Sequence, residues 1–199
     1  ELDNSEFKKI CESFGFNKDL SIHMASAASR FTLAEDASYG EEMTTAIGQG
    51  DTLATPLQMA MVAAAVANGG TLMKPYYVDS ISTYDGDEVK TFKPSSYASV
   101  MSAAEAEAIG NYMVTTVKSG TASALSGASY TAAGKTGSAE YDTASGERGT
   151  HSWFVGYSNV DHPDLAIAVI AEDGGSGSAA AVPIAKYVFD TYYQNKYGY

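Results

Sequence analysis

The chain has 199 residues, 45% of them hydrophobic and 18% charged, which is enough for one folded domain with a substantial core. Twelve lysines and arginines against 24 aspartates and glutamates give a formal net charge of -12, and so acidic a surface repels a phosphate backbone, which excludes nucleic acid as the expected partner. The single cysteine, Cys11, permits no internal disulfide and no cysteine cluster for zinc, and the longest apolar run, Met59 to Ala67, is far short of the ~20 residues of a membrane span.

In chain order, Ser5 to Phe14 has helical spacing, with Phe7, Ile10, Cys11 and Phe14 on one face and Gly15 as its stop. Residues 17 to 45, His23 among them, carry mixed signals and read as an extended, loop-rich crossing. Thr55-Pro56-Leu57-Gln58 predicts a helix start, with Thr55 as N-cap, Pro56 at the first helical position and Gln58 reaching back to close a capping box. The alanine-rich segment that follows runs to Asn68-Gly69-Gly70, and its small side chains permit the close packing of a central, buried helix. Residues 76 to 83 and 88 to 92 read as a small hairpin around Asp85-Gly86. Ser102 and Glu105 form a second capping-box pair, opening a helix with Ile109, Met113 and Val117 on its apolar side and an end near Gly120.

From Tyr130 the period becomes that of strands, expected at 130 to 141, 151 to 158 and 165 to 172, and their short connections imply antiparallel neighbours. A closing helix, Ala179 to Tyr193, tolerates Pro183 in its first turn and would cover one face of the sheet. The expected fold class is α+β, of the α/β/α type. Residues 129–199 supply about three antiparallel strands backed by the C-terminal helix, and residues 1–128 a mainly helical part with a small hairpin.

Chemistry concentrates in Gly134-Lys135-Thr136-Gly137-Ser138-Ala139-Glu140. A phosphate loop needs a glycine five positions before Gly134, where Ser129 stands, and a helix after the motif, where a strand pattern continues. The triplet by itself also fits an ordinary edge strand with glycine at a bulge. His151 and Trp153 read as packing residues, His162 as a loop residue, and the absence of a Gly-x-Ser-x-Gly elbow removes the usual turn of a Ser-His-Asp hydrolase.

Upstream stand Ala46-Ile47-Gly48-Gln49-Gly50, then Thr55 to Ala60, then Ala67-Asn68-Gly69-Gly70 and Pro75; downstream stands the run from His151 to Gly156. In this order the motifs resemble those of penicillin-binding protein transpeptidases, the enzymes that cross-link peptidoglycan. The resemblance covers nearly the whole chain and is most specific over 46 to 75 and 130 to 173. It implies that Lys135 places positive charge beside the nucleophile and the substrate carboxylate. It further implies that Thr136 and Ser138 offer hydroxyls to that carboxylate, that Gly137 leaves room for the substrate backbone, and that the Ser138 N–H forms half of an oxyanion hole. Lys135 and Ser138 are thus the implied catalytic residues, and Lys135, Thr136, Gly137 and Ser138 the substrate-binding set. The family more often carries threonine where Ser138 stands, and the hydroxyl is kept.

The family's nucleophile belongs to a Ser-x-x-Lys pair. The match Ser5-Glu6-Phe7-Lys8 carries no information, since one such pair is expected by chance among 22 serines and 10 lysines. It also lies too close to Phe14-Gly15-Phe16, which resembles a family segment that follows the nucleophile. No Ser-x-Asn occurs, and Tyr157-Ser158-Asn159 follows the Lys-Thr-Gly strand, the wrong order for its Tyr-x-Asn variant, so it reads as a strand end.

The resemblance therefore implies the C-terminal half of a transpeptidase domain, an incomplete fold whose nucleophile wall lies elsewhere. The implied reaction is serine acyl transfer on the D-alanyl-D-alanine of a peptidoglycan stem peptide, with β-lactams trapped at the same step and no cofactor or metal required. This chain alone is expected to be inactive. A β-lactam sensor or β-lactamase relative, and a catalytically silent homologue serving as a binding module, are the alternatives. The expected location is the extracytoplasmic face of the bacterial plasma membrane, held there by an anchor outside this sequence. The strand at 165 to 172 is expected to present an apolar edge to the missing half of the domain or to a second copy.

Overall fold

The computed structural model describes residues 3–20, 22, 25–143 and 145–197. Helix α1 (Asn4–Ser13) begins where Asp3 accepts the Glu6 N–H at 2.6 Å. Cys11 is half-buried on α1, and burial pushes its thiol up to about 11. His23 lies outside the described residues. The segment expected to be a loop-rich crossing contains a helix, α2 (Tyr39–Ala46), opened by a capping box between Ser38 and Glu41. Its Tyr39 and Met43 stay exposed, so α2 has no buried stripe by which periodicity could reveal it; the Ser38-x-x-Glu41 pair was its legible signal.

Helix α3 (Pro56–Ala67) starts as Thr55 and Pro56 predict, Thr55 Oγ1 accepting the Gln58 N–H at 3.1 Å. The expected capping box does not close, because the wholly buried Gln58 amide donates to the Phe14 carbonyl and ties α3 to the turn after α1. Strand β1 (Thr71–Met73), the hairpin β2 (Ser80–Ser82) and β3 (Glu88–Thr91), and β4 (Ser96–Ser99) follow. The hairpin matches expectation, marked by its Asp85-Gly86 turn; the antiparallel β1–β4 pair has no turn joining its strands, and at three and four residues it is too short to show a period.

Helix α4 (Ala103–Ser119) carries the predicted Ser102–Glu105 capping box and buries Ala106, Gly110, Met113 and Val117. Ile109, expected on that stripe, lies about 70° around the helix from its centre and is 40% exposed.

Three antiparallel strands complete the molecule in the order β5 (Ala132–Asp142), β6 (Arg148–Ser158) and β7 (Leu165–Ala171), followed by helix α5 (Ala181–Tyr197) with Pro183 in its first turn. The fold is α+β. One sheet face packs on α3 and α4 through Ala133, Tyr157, Val66 and Met113. The other packs on α5 through Ala132, Phe154, Val169, Val182 and Phe189. Phe154 and Phe189 are fully buried, each stabilising by about 1.5–3 kcal/mol through removal from water.

Two polar pins hold α5 on the sheet. The Tyr130 hydroxyl donates to Asp190, which also pairs with Lys186, and the Tyr193 hydroxyl lies between Ser158 Oγ and the Asp164 carboxylate, which accepts from Lys196 at 2.7 Å. Burial alone would raise the Asp164 carboxyl; hydrogen bonds from Lys196 and Tyr193, with the Lys196 charge, outweigh it and hold the group below its usual range. A carboxyl depressed in the folded state stabilises above its unfolded value, and that stability is lost as pH falls below it. Asp164→Asn should therefore lower stability at neutral pH and flatten the loss on acidification below about pH 4. Urea denaturation at pH 7 and pH 3 checks this; an unchanged acid slope would remove Asp164 from the account.

Candidate active site

β5 and β6 pair in unbroken register from Ala132 opposite Ser158 to Asp142 opposite Arg148, so Gly137 sits in regular strand rather than at a bulge. β5 is the outer strand of its sheet, and among the described residues no strand covers its far edge. In an antiparallel strand a residue's N–H and C=O point to the same side, alternating along the chain. Asn159 N–H bonds the Thr131 carbonyl at 2.7 Å, so the odd-numbered residues of β5 pair with β6. The even-numbered ones, Thr136 and Ser138 among them, aim both backbone groups at the open edge.

Two hydrogen bonds agree with that assignment. The Ser138 carbonyl accepts from Gln49 Nε2 at 3.1 Å, and the Thr136 carbonyl accepts from Lys135 Nζ at 2.7 Å. The first joins the Gly48-Gln49-Gly50 block to the Lys-Thr-Gly strand across 89 positions, so two motifs remote in sequence meet at one edge.

Side chains alternate the other way. Lys135 and Gly137 lie on the α3/α4 face, where Lys135 borders an apolar hollow of about 240 Å³ with Val62, Val66, Tyr112 and Val155. Lys135 is exposed, and among the described residues no carboxylate lies within ion-pair distance of it, so its charge is available to a ligand. Thr136 and Ser138 turn to the α5 face. There Thr136 Oγ1 bonds Thr121 Oγ1 at 2.6 Å, and Ser138 Oγ accepts the Gly177 N–H at 3.4 Å. The edge thus presents an ammonium on one side, two hydroxyls on the other and the Ser138 N–H between them. That arrangement can bind a carboxylate and place a donor on a developing oxyanion.

All four predicted residues are consecutive on this edge. Ser5 is in the first turn of α1, and no hydrogen bond among the described residues joins it to Lys8 or to β5. His151 stacks on Tyr141 at 4.3 Å and accepts the Asp173 N–H, at the end of β6 remote from Lys135. Tyr157 is buried and β6 ends at Ser158, as read. Sequence reasoning gave no role to Thr121, Gln49 or Gly177. Gln49 stood in a recognised block; the other two had no local signal, because their contacts with β5 exist only after folding.

The family described as penicillin binding protein transpeptidase domain matches residues 1–190. Peptidoglycan D,D-transpeptidase PbpA of Mycolicibacterium smegmatis is 36% identical over 149 residues, which are 70% of this chain and 29% of that protein. The crystal structure of the D,D-transpeptidase domain of a peptidoglycan glycosyltransferase from Eggerthella lenta superposes with a TM-score of 0.85 at 29% identity, covering 100% of this chain and 49% of that one. The imipenem acyl-enzyme complex of penicillin-binding protein A from M. tuberculosis gives a TM-score of 0.83 at 25% identity, covering 94% and 42%. The chain therefore spans under a third of the length of that curated relative and about half of the matched transpeptidase domain.

Proposed function

The chain belongs to the penicillin binding protein transpeptidase domain family, and on that premise we propose that it is the C-terminal, substrate-binding wall of a peptidoglycan D,D-transpeptidase. The observation that carries this reading is the meeting of the Lys135 ammonium, the Thr136 and Ser138 hydroxyls and the outward Ser138 N–H along one uncovered strand edge.

A stem peptide ending in D-alanyl-D-alanine would lie along β5, its terminal carboxylate held by the two hydroxyls under the Lys135 charge. Gly137 has no side chain to obstruct it. A serine supplied from outside this chain attacks the penultimate carbonyl and loses its proton to a neighbouring base. The Ser138 N–H donates to the oxygen that becomes negative, and because it is fixed before reaction it costs no reorganisation at that moment. The C–N bond breaks, terminal D-alanine leaves after accepting a proton, and an amine of a second stem peptide displaces the serine ester. A β-lactam carbonyl enters by the same route and stops at the ester. This is the step named for penicillin-binding protein A of M. tuberculosis, whose imipenem complex is an acyl-enzyme.

The hollow beside Lys135 supports a missing wall. Tyr112, 74% exposed, and Ile109 leave apolar surface uncovered next to the cation, where the segment bearing the nucleophile would pack. At the opposite side of the sheet β7 is, among the described residues, the outer strand, and its edge fits the absent half of the domain or a second copy. No helix among the described residues is long and apolar enough to cross a membrane. The extracytoplasmic location belongs to the complete protein and its anchor.

The test is covalent labelling. This polypeptide alone should form no adduct with a fluorescent penicillin, whereas the complete protein should be labelled stoichiometrically by intact mass. An adduct on Ser5 would overturn the placement of the chain within its domain, and an unlabelled complete protein would favour a silent homologue.

A further inference from the structure

Ser138 and Ser152 are direct partners in the β5–β6 register, and a loop after β7 crosses over both. Ser152 is fully buried. Its Oγ donates to the Ser176 carbonyl at 2.7 Å and accepts the Ala181 N–H at 3.0 Å, so one side chain clamps the loop at two points, one on either side of Gly177. Gly177 is buried, and a Cβ there would lie 2.7 Å from Thr136 Cβ and 2.8 Å from the Gly137 carbonyl oxygen. The loop backbone is seated so closely on β5 that only glycine fits. From this seat the Gly177 N–H reaches Ser138 Oγ.

A hydroxyl has one hydrogen to give and two acceptor positions. When Gly177 fills an acceptor position from the α5 side, the hydroxyl hydrogen of Ser138 is left to turn outward to the open edge. A carboxylate only accepts hydrogen bonds, so a hydroxyl set as donor is what it requires. We propose that Ser152 is a positioning residue for the carboxylate subsite: through the clamped loop and the Gly177 N–H it sets Ser138 Oγ as a hydrogen-bond donor to the substrate carboxylate. The inference rests on the reading of Ser138 as a carboxylate ligand. It adds a residue that touches neither substrate nor nucleophile.

The experiment is acylation of the complete transpeptidase by a penicillin with a free carboxylate and by its methyl ester. Ser152→Ala should slow the carboxylate form about tenfold, the loss of one hydrogen bond to a charged group, and leave the ester within about twofold. On a Ser138→Ala background it should bring no further loss. Equal slowing of both compounds by a folded Ser152→Ala protein, or an additive loss in the double variant, would overturn the proposal. Exchange of the Gly177 amide tests the same link without altering Ser152. Ser138→Ala should expose that amide while the Ala181 amide stays protected, and unchanged Gly177 protection would also refute the link. Should Ser138→Ala leave the carboxylate-to-ester ratio untouched, the reading of Ser138 itself falls, an outcome distinct from failure at Ser152.

Discussion

Lys135→Ala in the complete transpeptidase is expected to slow acylation by β-lactams on the order of a hundredfold or more, the effect of removing one positioned charge or donor from such a site. Stability should hardly change. The side chain is exposed, its ammonium bonds, among the described residues, the carbonyl of the next residue alone, and exposed polar contacts of this kind contribute little. Stopped-flow acylation beside thermal melting separates the two effects. Rates within about twofold of wild type, against a loss on that scale, would remove Lys135 from the site.

Gly134→Ala should do the reverse, damaging the fold first. A Cβ on Gly134 would stand 2.3 Å from Cζ of Phe154, a ring with no exposed surface, and 2.9 Å from the Val155 carbonyl oxygen. Gly156 clears the same ring from the neighbouring strand, since a Cβ there would lie 2.8 Å from Cζ. Gly134 and Gly156 thus form a slot in which Phe154 lies flat between sheet and α5. Overpacking costs about 1–3 kcal/mol, and the upper end is expected where the obstacle is a buried ring. Denaturant unfolding of the variant measures it. A loss under about 0.5 kcal/mol, the scale of a neutral surface change, would contradict the slot. The first glycine of the motif therefore serves packing, while the groups offered to a substrate begin at Lys135.

Much of this was legible because local rules and tertiary structure agree. Thr55 with Pro56, and Ser102 with Glu105, start helices where capping chemistry says they should, and the period change near Tyr130 marks the sheet. The misses share a cause. Gln58 was assigned to its own helix end, yet burial beside Phe14 offered its amide a tertiary partner. Ile109 was placed on an apolar stripe whose margin faces an uncovered hollow. The site followed the same division. The alternation of Lys135, Thr136, Gly137 and Ser138 could be read from strand period, but which backbone groups face the open edge depends on the pairing of β5 with β6, and the Gly177 contact depends on a loop folded back across 39 positions.

The central claim, that this strand edge binds the acyl group, is tested most directly by a crystal structure of the complete protein acylated by a penicillin. The account predicts the ester carbonyl oxygen within about 2.7–3.1 Å of the Ser138 nitrogen, with the β-lactam carboxylate on the hydroxyls of Thr136 and Ser138 beside Lys135. An acyl group bound with its carbonyl oxygen turned away from β5, or with its carboxylate held by other residues, would contradict it.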